Sequence, residues 1–99
     1  MLNINATKNG NELVIALEGR LDTTTSPELD QKVKEEIDGV TSLCFDLATL
    51  DYISSAGLRV LLSTQKIMNK QGNMVVKNVS EEVKEIFEVT GFSDILTIE

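Results

Sequence analysis

Three short apolar runs, separated by segments with helical periodicity, constrain the fold of this chain more than any other feature. The runs occupy residues 13–17 (LVIAL), 43–45 (LCF) and 74–76 (MVV), and continuous apolar runs of this length are typical of buried strands. In the intervening segments apolar residues recur every three or four positions, which indicates amphipathic helices. Because strands joined through helices need crossover connections, we expect these three strands to pair mainly in parallel.

The N-terminal residues predict one further strand. Leu2, Ile4 and Ala6 alternate with polar residues, and Asn9-Gly10 then marks a tight turn. The first two strands should therefore form an antiparallel hairpin, with the continuous run at 13–17 covered on both faces as a central strand. The segment 95–98 is expected to pair as an edge strand or simply to pack against the domain.

These elements predict a single domain over residues 1–99, of the α/β class with α+β character. We expect a mixed sheet of four or five strands, in which an N-terminal antiparallel hairpin is followed by alternating helices and strands, with the helices chiefly on one side. Three helices are indicated, one starting at Thr25-Ser26-Pro27, one after Gly57 and one at Ser80. A chain of 99 residues leaves no room for a second domain of ordinary size.

The composition excludes several kinds of chemistry. The chain has no His and a single Cys, so it cannot build a Ser-His-Asp triad, an imidazole zinc site, an intrachain disulfide or a multi-cysteine metal site. Cys44 lies between Leu43 and Phe45 and is interpreted as a buried small hydrophobe. We therefore predict no metal and no cofactor, and no catalytic residue of these types.

The charge and hydropathy of the chain bear on its partners and its location. A net charge of −7 disfavours direct contact with nucleic acid or with an anionic membrane, both of which attract cationic surfaces. No apolar run is long enough to span a bilayer, and the first residues do not resemble a signal peptide. The prediction is a cytoplasmic protein that binds another protein, without membrane insertion.

Two consecutive serines mark the candidate functional site. Ser54 and Ser55 lie where the loop that follows the strand at residues 42–47 gives way to a helix, at the edge of the sheet where ligands bind in folds of this type. The free N–H groups and the dipole of a helix N-terminus favour a phosphate there. The alternative is that one of the two serines is an ordinary helix cap. A nucleophile elbow and a P-loop both lack required residues.

The same residues carry a family resemblance that runs almost end to end. The chain resembles the STAS domain family (sulfate transporter and anti-sigma-factor antagonist), and within it the small single-domain bacterial antagonists. The motifs that match are Gly19-Arg20-Leu21-Asp22, the approach from Leu47 to Asp51, the block from Tyr52 to Leu58, and Gly72 leading into residues 74–76. The resemblance implies a STAS-like fold.

The resemblance also implies a function as a phosphorylation-controlled switch. An unphosphorylated antagonist of this family binds an anti-sigma factor that is also a serine kinase and so releases the sigma factor. The kinase then inactivates it by phosphorylation, and a serine phosphatase reverses the modification. The phosphorylated residue of the family falls on Ser55, with Ser54 as the alternative, since Ser54 stands where many members have Asp. The implied partner-binding residues are Asp22, Thr23, Ser54, Ser55, Ala56, Gly57, Leu58 and Arg59. As the substrate of the kinase, the chain is expected to have no catalytic residue and no enzymatic activity of its own.

Several alternatives remain open at the level of sequence. Asp22 is equally well interpreted as a turn residue that precedes the first helix, and Arg59 as a solvated side chain. The whole protein could instead be a STAS-type accessory subunit of a transporter or signalling complex, or a module that binds a nucleotide or another small molecule. No heptad repeat or surplus apolar face indicates a dimer, so a monomer is favoured.

Overall fold

The computed structural model describes residues 2–99, and its elements follow the predicted order. They are β1 (Leu2–Asn9), β2 (Glu12–Leu21), α1 (Ser26–Glu36), β3 (Ser42–Ile53), α2 (Ser55–Gln71), β4 (Asn73–Lys77), α3 (Glu81–Thr90) and a 3₁₀ turn, η1 (Phe92–Asp94). Within these residues no helix is both long enough and apolar enough to cross a membrane.

The four strands form one mixed sheet in the order β1-β2-β3-β4. β1 is antiparallel to β2, whereas β2 pairs with β3 and β3 with β4 in parallel. The hairpin, the parallel strands and the strand number are thus as predicted. The predicted loop at residues 48–53 is wrong, because β3 continues to Ile53 and stays paired with β2. The C-terminal segment, expected either to pair as an edge strand or simply to pack, forms one isolated parallel bridge between Ile98 and Val76. The Val76 N–H donates to the Thr97 carbonyl there (2.8 Å).

The prediction that the run at 13–17 is covered on both faces is wrong. Leu13, Ile15 and Leu17 are fully buried, but Val14 is 39% exposed and Ala16 is only half-buried. The helices pack against one face of the sheet, so a central strand is buried on alternate residues only.

Cys44 lies on the other, open face of the sheet, where it pairs in register with Val14 and Val75. It is half-buried rather than buried, which corrects the interpretation drawn from its apolar neighbours along the chain. Burial nevertheless raises the pKa of the Cys44 thiol, which keeps it in its less reactive protonated form.

The helices follow the apolar periodicity of the sequence. Leu29, Val33 and Ile37 are buried along α1, and Leu58, Leu61 and Met68 along α2. α2 also buries Thr64 and Gln65, which polarity alone would place on the surface. Thr64 is satisfied because its hydroxyl donates to the Val60 carbonyl (2.7 Å).

Candidate functional site

The loop after β2 and the junction after β3 meet at the carboxyl edge of the parallel strands. The Ser54 N–H donates to the Leu21 carbonyl (2.9 Å) and so ties the start of α2 to the end of β2. Gly57 makes the approach possible, because a Cβ at this position would lie 2.7 Å from Leu21 Cγ and 2.9 Å from Ile53 Cγ1. The glycine therefore sets the first turn of α2 directly on the ends of both strands.

Ser54 occupies the N-cap position of α2 without capping it. Its backbone is extended (φ −98°, ψ 176°), as N-caps usually are, and its side chain makes no capping hydrogen bond. Its Oγ is buried and, within residues 2–99, has no hydrogen-bond partner. The first N–H groups of α2 therefore have neither an intrahelical acceptor nor a serine cap. Ser54 is therefore not an ordinary helix cap, which was one of the alternatives left open by the sequence.

Ser55 is the first residue of α2 and is exposed. Its hydroxyl stands at the positive end of a 17-residue helix, beside amides that attract negative charge. The first turn of α2 carries no acidic residue of its own. The hydroxyl is thus accessible, and a phosphate placed there would meet favourable backbone groups rather than competing carboxylates.

One turn further along the helix, Arg59 is also exposed. It borders a groove of about 360 Å³ between α1 and α2 that adjoins the serines. The groove is lined by Thr23, Ser26, Pro27, Asp30, Ala56, Arg59, Val60 and Ser63. Three of the predicted partner-binding residues, Thr23, Ala56 and Arg59, therefore share one concave surface.

Asp22 organises the loop between β2 and α1. Its Oδ1 accepts hydrogen bonds from the N–H and hydroxyl groups of Thr24 (3.0 and 2.8 Å) and of Thr25 (both 3.1 Å). These bonds, chiefly the one from the Thr24 hydroxyl, lower the pKa of Asp22 to about 2. The carboxylate acts as the turn residue of this loop, and it holds Thr23 exposed at the tip.

An aromatic and cationic pair lies beside this loop. The Arg20 guanidinium stacks over the Tyr52 ring at 4.4 Å from its centroid, and Arg20 Nε lies 3.9 Å from Asp22 Oδ2. Tyr52 is 37% exposed. The residues are neighbours because β2 and β3 pair Arg20 with Tyr52 in register. The sequence around either residue does not predict this contact.

The structure separates the predicted residues into a surface set and a supporting set. Thr23, Ser55 and Arg59 are exposed, and Asp22 and Ala56 are partly so. Gly57 and Leu58 are buried, with Leu58 only 5% exposed, so in this structure they support the surface instead of forming it. Sequence reasoning missed the other five residues of the groove, because their place there depends on how α1 packs against α2; they are Ser26, Pro27, Asp30, Val60 and Ser63.

The arrangement has the features of a modifiable binding surface. Within residues 2–99 no three acidic or cysteine side chains converge as metal ligands. The exposed chemistry consists of a hydroxyl at a helix N-terminus, two arginines and an ordered loop. Such a set suits recognition of another molecule, and of a phosphate in particular.

Comparison with known proteins gives a consistent result. Residues 3–99 match the model of the STAS domain family. The chain is 30% identical over 98 residues to an anti-sigma-B factor antagonist of Bacillus subtilis, covering 98% of this chain and 90% of the relative. The fold is similar to that of an anti-sigma factor antagonist from Mycobacterium paratuberculosis (TM-score 0.90, 20% identity, 99% of this chain and 85% of the other). It is also similar to the Bacillus cell fate determinant SpoIIAA in its phosphorylated form (TM-score 0.77, 19% identity, 98% and 91% covered).

Proposed function

Because the chain belongs to the STAS domain family, we propose that it is an anti-sigma-factor antagonist controlled by phosphorylation of Ser55. The observation that carries the proposal is the exposed Ser55 hydroxyl on the uncapped N-terminus of α2. The relative in Bacillus subtilis has the name of an antagonist, which supports the same class of partner. The chain is the substrate of a kinase and has no catalytic role of its own.

In the unphosphorylated state, the surface around Ser55 binds an anti-sigma factor that is also a serine kinase, and the sigma factor is released. The exposed Thr23, Ser55 and Arg59, together with the groove between α1 and α2, supply the contact. Asp22 fixes the loop that presents Thr23. Gly57 and Leu58 hold α2 in place beneath this surface.

Phosphorylation of Ser55 switches the surface off by adding charge. A phosphoserine carries about −1.5 to −2 charges at neutral pH, and the free amides and dipole of α2 accommodate this charge at little cost to folding. A docked partner must instead desolvate the phosphate or lose contact with it. We expect affinity for the partner to fall by more than about a hundredfold, equivalent to roughly 3 kcal/mol. A serine phosphatase restores binding.

Burial supports the assignment to Ser55 rather than Ser54. The Ser54 Oγ is buried, whereas Ser55 is exposed, and a kinase must bring the hydroxyl into line with the γ-phosphate of ATP. Modification of Ser54 would first require its side chain to leave the protein interior. The proposed setting is the cytoplasm, where kinase, sigma factor and a monomeric antagonist meet.

The experiment that tests the proposal is affinity capture from native cells, with tagged wild-type protein and the variants Ser55→Ala, Ser55→Glu and Ser93→Glu. The exposed Ser93 in η1 gives a control with the same added charge far from α2 along the chain. We expect wild type, Ser55→Ala and Ser93→Glu to retain a protein with serine kinase activity that also binds a sigma factor, and Ser55→Glu to lose it.

Three outcomes would contradict the proposal in different ways. Retention of the same kinase by Ser55→Glu would remove the phosphorylation switch. Capture of a transporter or scaffold subunit that is indifferent to Ser55→Glu would instead favour the accessory-subunit function. Saturable binding of a nucleotide to the purified chain, unaffected by Ser55→Glu, would favour a small-molecule module.

A further inference from the structure

We propose that Arg59 is the intramolecular receptor for the Ser55 phosphate, so that phosphorylation also withdraws Arg59 from the groove between α1 and α2. This inference rests on the proposed modification of Ser55 and adds the residue that responds to it. It follows from the spacing of the two residues along α2 and from the surroundings of each basic side chain near the site.

Ser55 and Arg59 lie four residues apart on one helix and are both exposed. Side chains at this spacing lie on the same face, with Cβ atoms about 5–6 Å apart. The favourable orientation has the acidic group on the N-terminal side of the basic one, which is the order of a phosphorylated Ser55 and Arg59. A guanidinium also presents paired donors that match the oxygens of a phosphate.

Arg59 has no competing partner in the described part of the chain. Within residues 2–99 it makes neither an ion pair within 4.0 Å nor a side-chain hydrogen bond. The acid that lines the same groove, Asp30, pairs with Lys34 at 2.9 Å. The guanidinium of Arg59 is therefore available when a negative charge appears one turn away.

Of the other basic residues near the site, one already contacts neighbouring side chains and the other lies too far along α2. Arg20 stacks on Tyr52 and faces Asp22. Lys66, the next basic residue of α2, is 11 positions beyond Ser55, or roughly 16 Å along the helix axis. In a chain with a net charge of −7, Arg59 is thus the cation best placed to receive the phosphate.

The pairing extends the effect of the modification beyond the phosphate itself. In the unphosphorylated chain Arg59 borders the groove, where its charge is offered to the partner. Once it turns toward Ser55, the groove loses this positive charge at the same moment that the helix N-terminus gains a negative one. A partner would meet two unfavourable changes from one chemical event.

The test uses full-length protein with phosphoserine installed at position 55 during translation, so it requires no native kinase. The phosphate is titrated by phosphorus NMR in wild type, Arg59→Gln and Lys66→Gln, each variant removing one positive charge from α2. We expect the midpoint in wild type and Lys66→Gln to lie about 0.3 pH unit below that of Arg59→Gln, because the guanidinium favours the dianion. The difference should shrink in 1 M salt, where exposed ion pairs are screened.

Equal midpoints in all three proteins, or an equal rise in both variants, would overturn the pairing. The result is independent of the proposed function, since it concerns a phosphate already in place. If no phosphate were found on Ser55 in cells, the proposed switch would be refuted. The titration would still decide whether Arg59 pairs with a phosphate at this position. The variant Arg59→Lys, which keeps the charge but loses the planar fork, is expected to give an intermediate midpoint.

Discussion

Two helices of this protein, α2 and α3, have a serine at the N-cap position, but only the serine of α3 caps its helix. In α3 the Ser80 side chain accepts a hydrogen bond from the Val83 N–H (3.3 Å), and Glu81 and Glu82 occupy the first turn. In α2 the Ser54 side chain caps nothing and the first turn has no acid. The N-terminus of α3 is thus satisfied by its own sequence.

The N-terminus of α2 leaves a position for negative charge that the sequence does not fill. The first helical residue of α3 is Glu81, and the corresponding residue of α2 is the exposed Ser55. A phosphate on Ser55 would supply at α2 the charge that glutamate supplies permanently at α3. The start of α3 is therefore complete without modification, whereas the start of α2 is open to the phosphorylation proposed above.

The largest expected effect concerns negative charge at the N-terminus, which α3 has and α2 lacks. Phosphoserine at position 55 should weaken binding to the captured anti-sigma factor by more than about a hundredfold, measured by isothermal titration with the purified partner. The variant Ser80→Glu, which adds charge at the cap of α3, should leave affinity within about threefold of wild type. Equal losses for the two proteins would mean that the N-terminus of α2 is not special.

The second prediction concerns the third helical residue, which is Gly57 in α2 and the buried Val83 in α3. Gly57→Ala should destabilise the protein by about 1–3 kcal/mol, because the added methyl meets the buried Leu21 and Ile53. Urea denaturation measures the loss. The double variant Leu21→Ala/Gly57→Ala should lose less than the two single losses combined. Strict additivity would show that Gly57 does not pack on Leu21.

The third prediction compares the two caps directly. Ser80→Ala should cost about 1 kcal/mol, the usual loss for removal of a working N-cap. Ser54→Ala should cost nothing or stabilise slightly, because it removes a buried hydroxyl that has no partner within residues 2–99. Chemical denaturation of both variants under one set of conditions measures the contrast. A loss at Ser54 as large as that at Ser80 would show that the two serines cap alike.

The smallest effect is a pH dependence that comes from the loop beside α2. Hydrogen bonds lower the pKa of Asp22 to about 2 in the folded protein, against 3.8 when unperturbed. The carboxylate therefore contributes stability above about pH 4, and this contribution is lost as the pH falls toward 2. Asp22→Asn should flatten the decline of stability over this window. Asp51→Asn, an exposed carboxylate that accepts no side-chain hydrogen bond within residues 2–99, is the control; an equal flattening there would contradict the role of Asp22.

Much of the fold was predictable because its signals are local. The order of strands and helices, the hairpin at Asn9-Gly10 and the cap at Ser80 all follow from periodicity and turn chemistry. The covering of both faces of β2 was predicted wrongly, because its open face also carries apolar residues, Val14 and Ala16. They hide the alternation that is typical of a strand buried on one side only. Sequence spacing cannot reveal which face the helices leave uncovered.

The candidate site was predictable in part for a related reason. Ser54 and Ser55 were singled out because two hydroxyls at a loop–helix junction are a local pattern, and the family resemblance then pointed to Ser55. The lack of a capping hydrogen bond at Ser54 depends on the rotamer of its side chain, and the groove beside Arg59 depends on the packing of α1 against α2. The stack of Arg20 on Tyr52 depends on the register between β2 and β3. Contacts between residues distant in sequence require the assembled fold.

The most direct test of the central claim is to locate phosphate in the protein isolated from its native cells. Peptide mass spectrometry would be applied to wild type, Ser54→Ala and Ser55→Ala across growth conditions. We predict phosphate on Ser55, retained in Ser54→Ala and absent from Ser55→Ala. Phosphate on Ser54, or modification that persists in Ser55→Ala, would contradict the assignment. A complete lack of phosphate at both serines under every condition would contradict the switch itself.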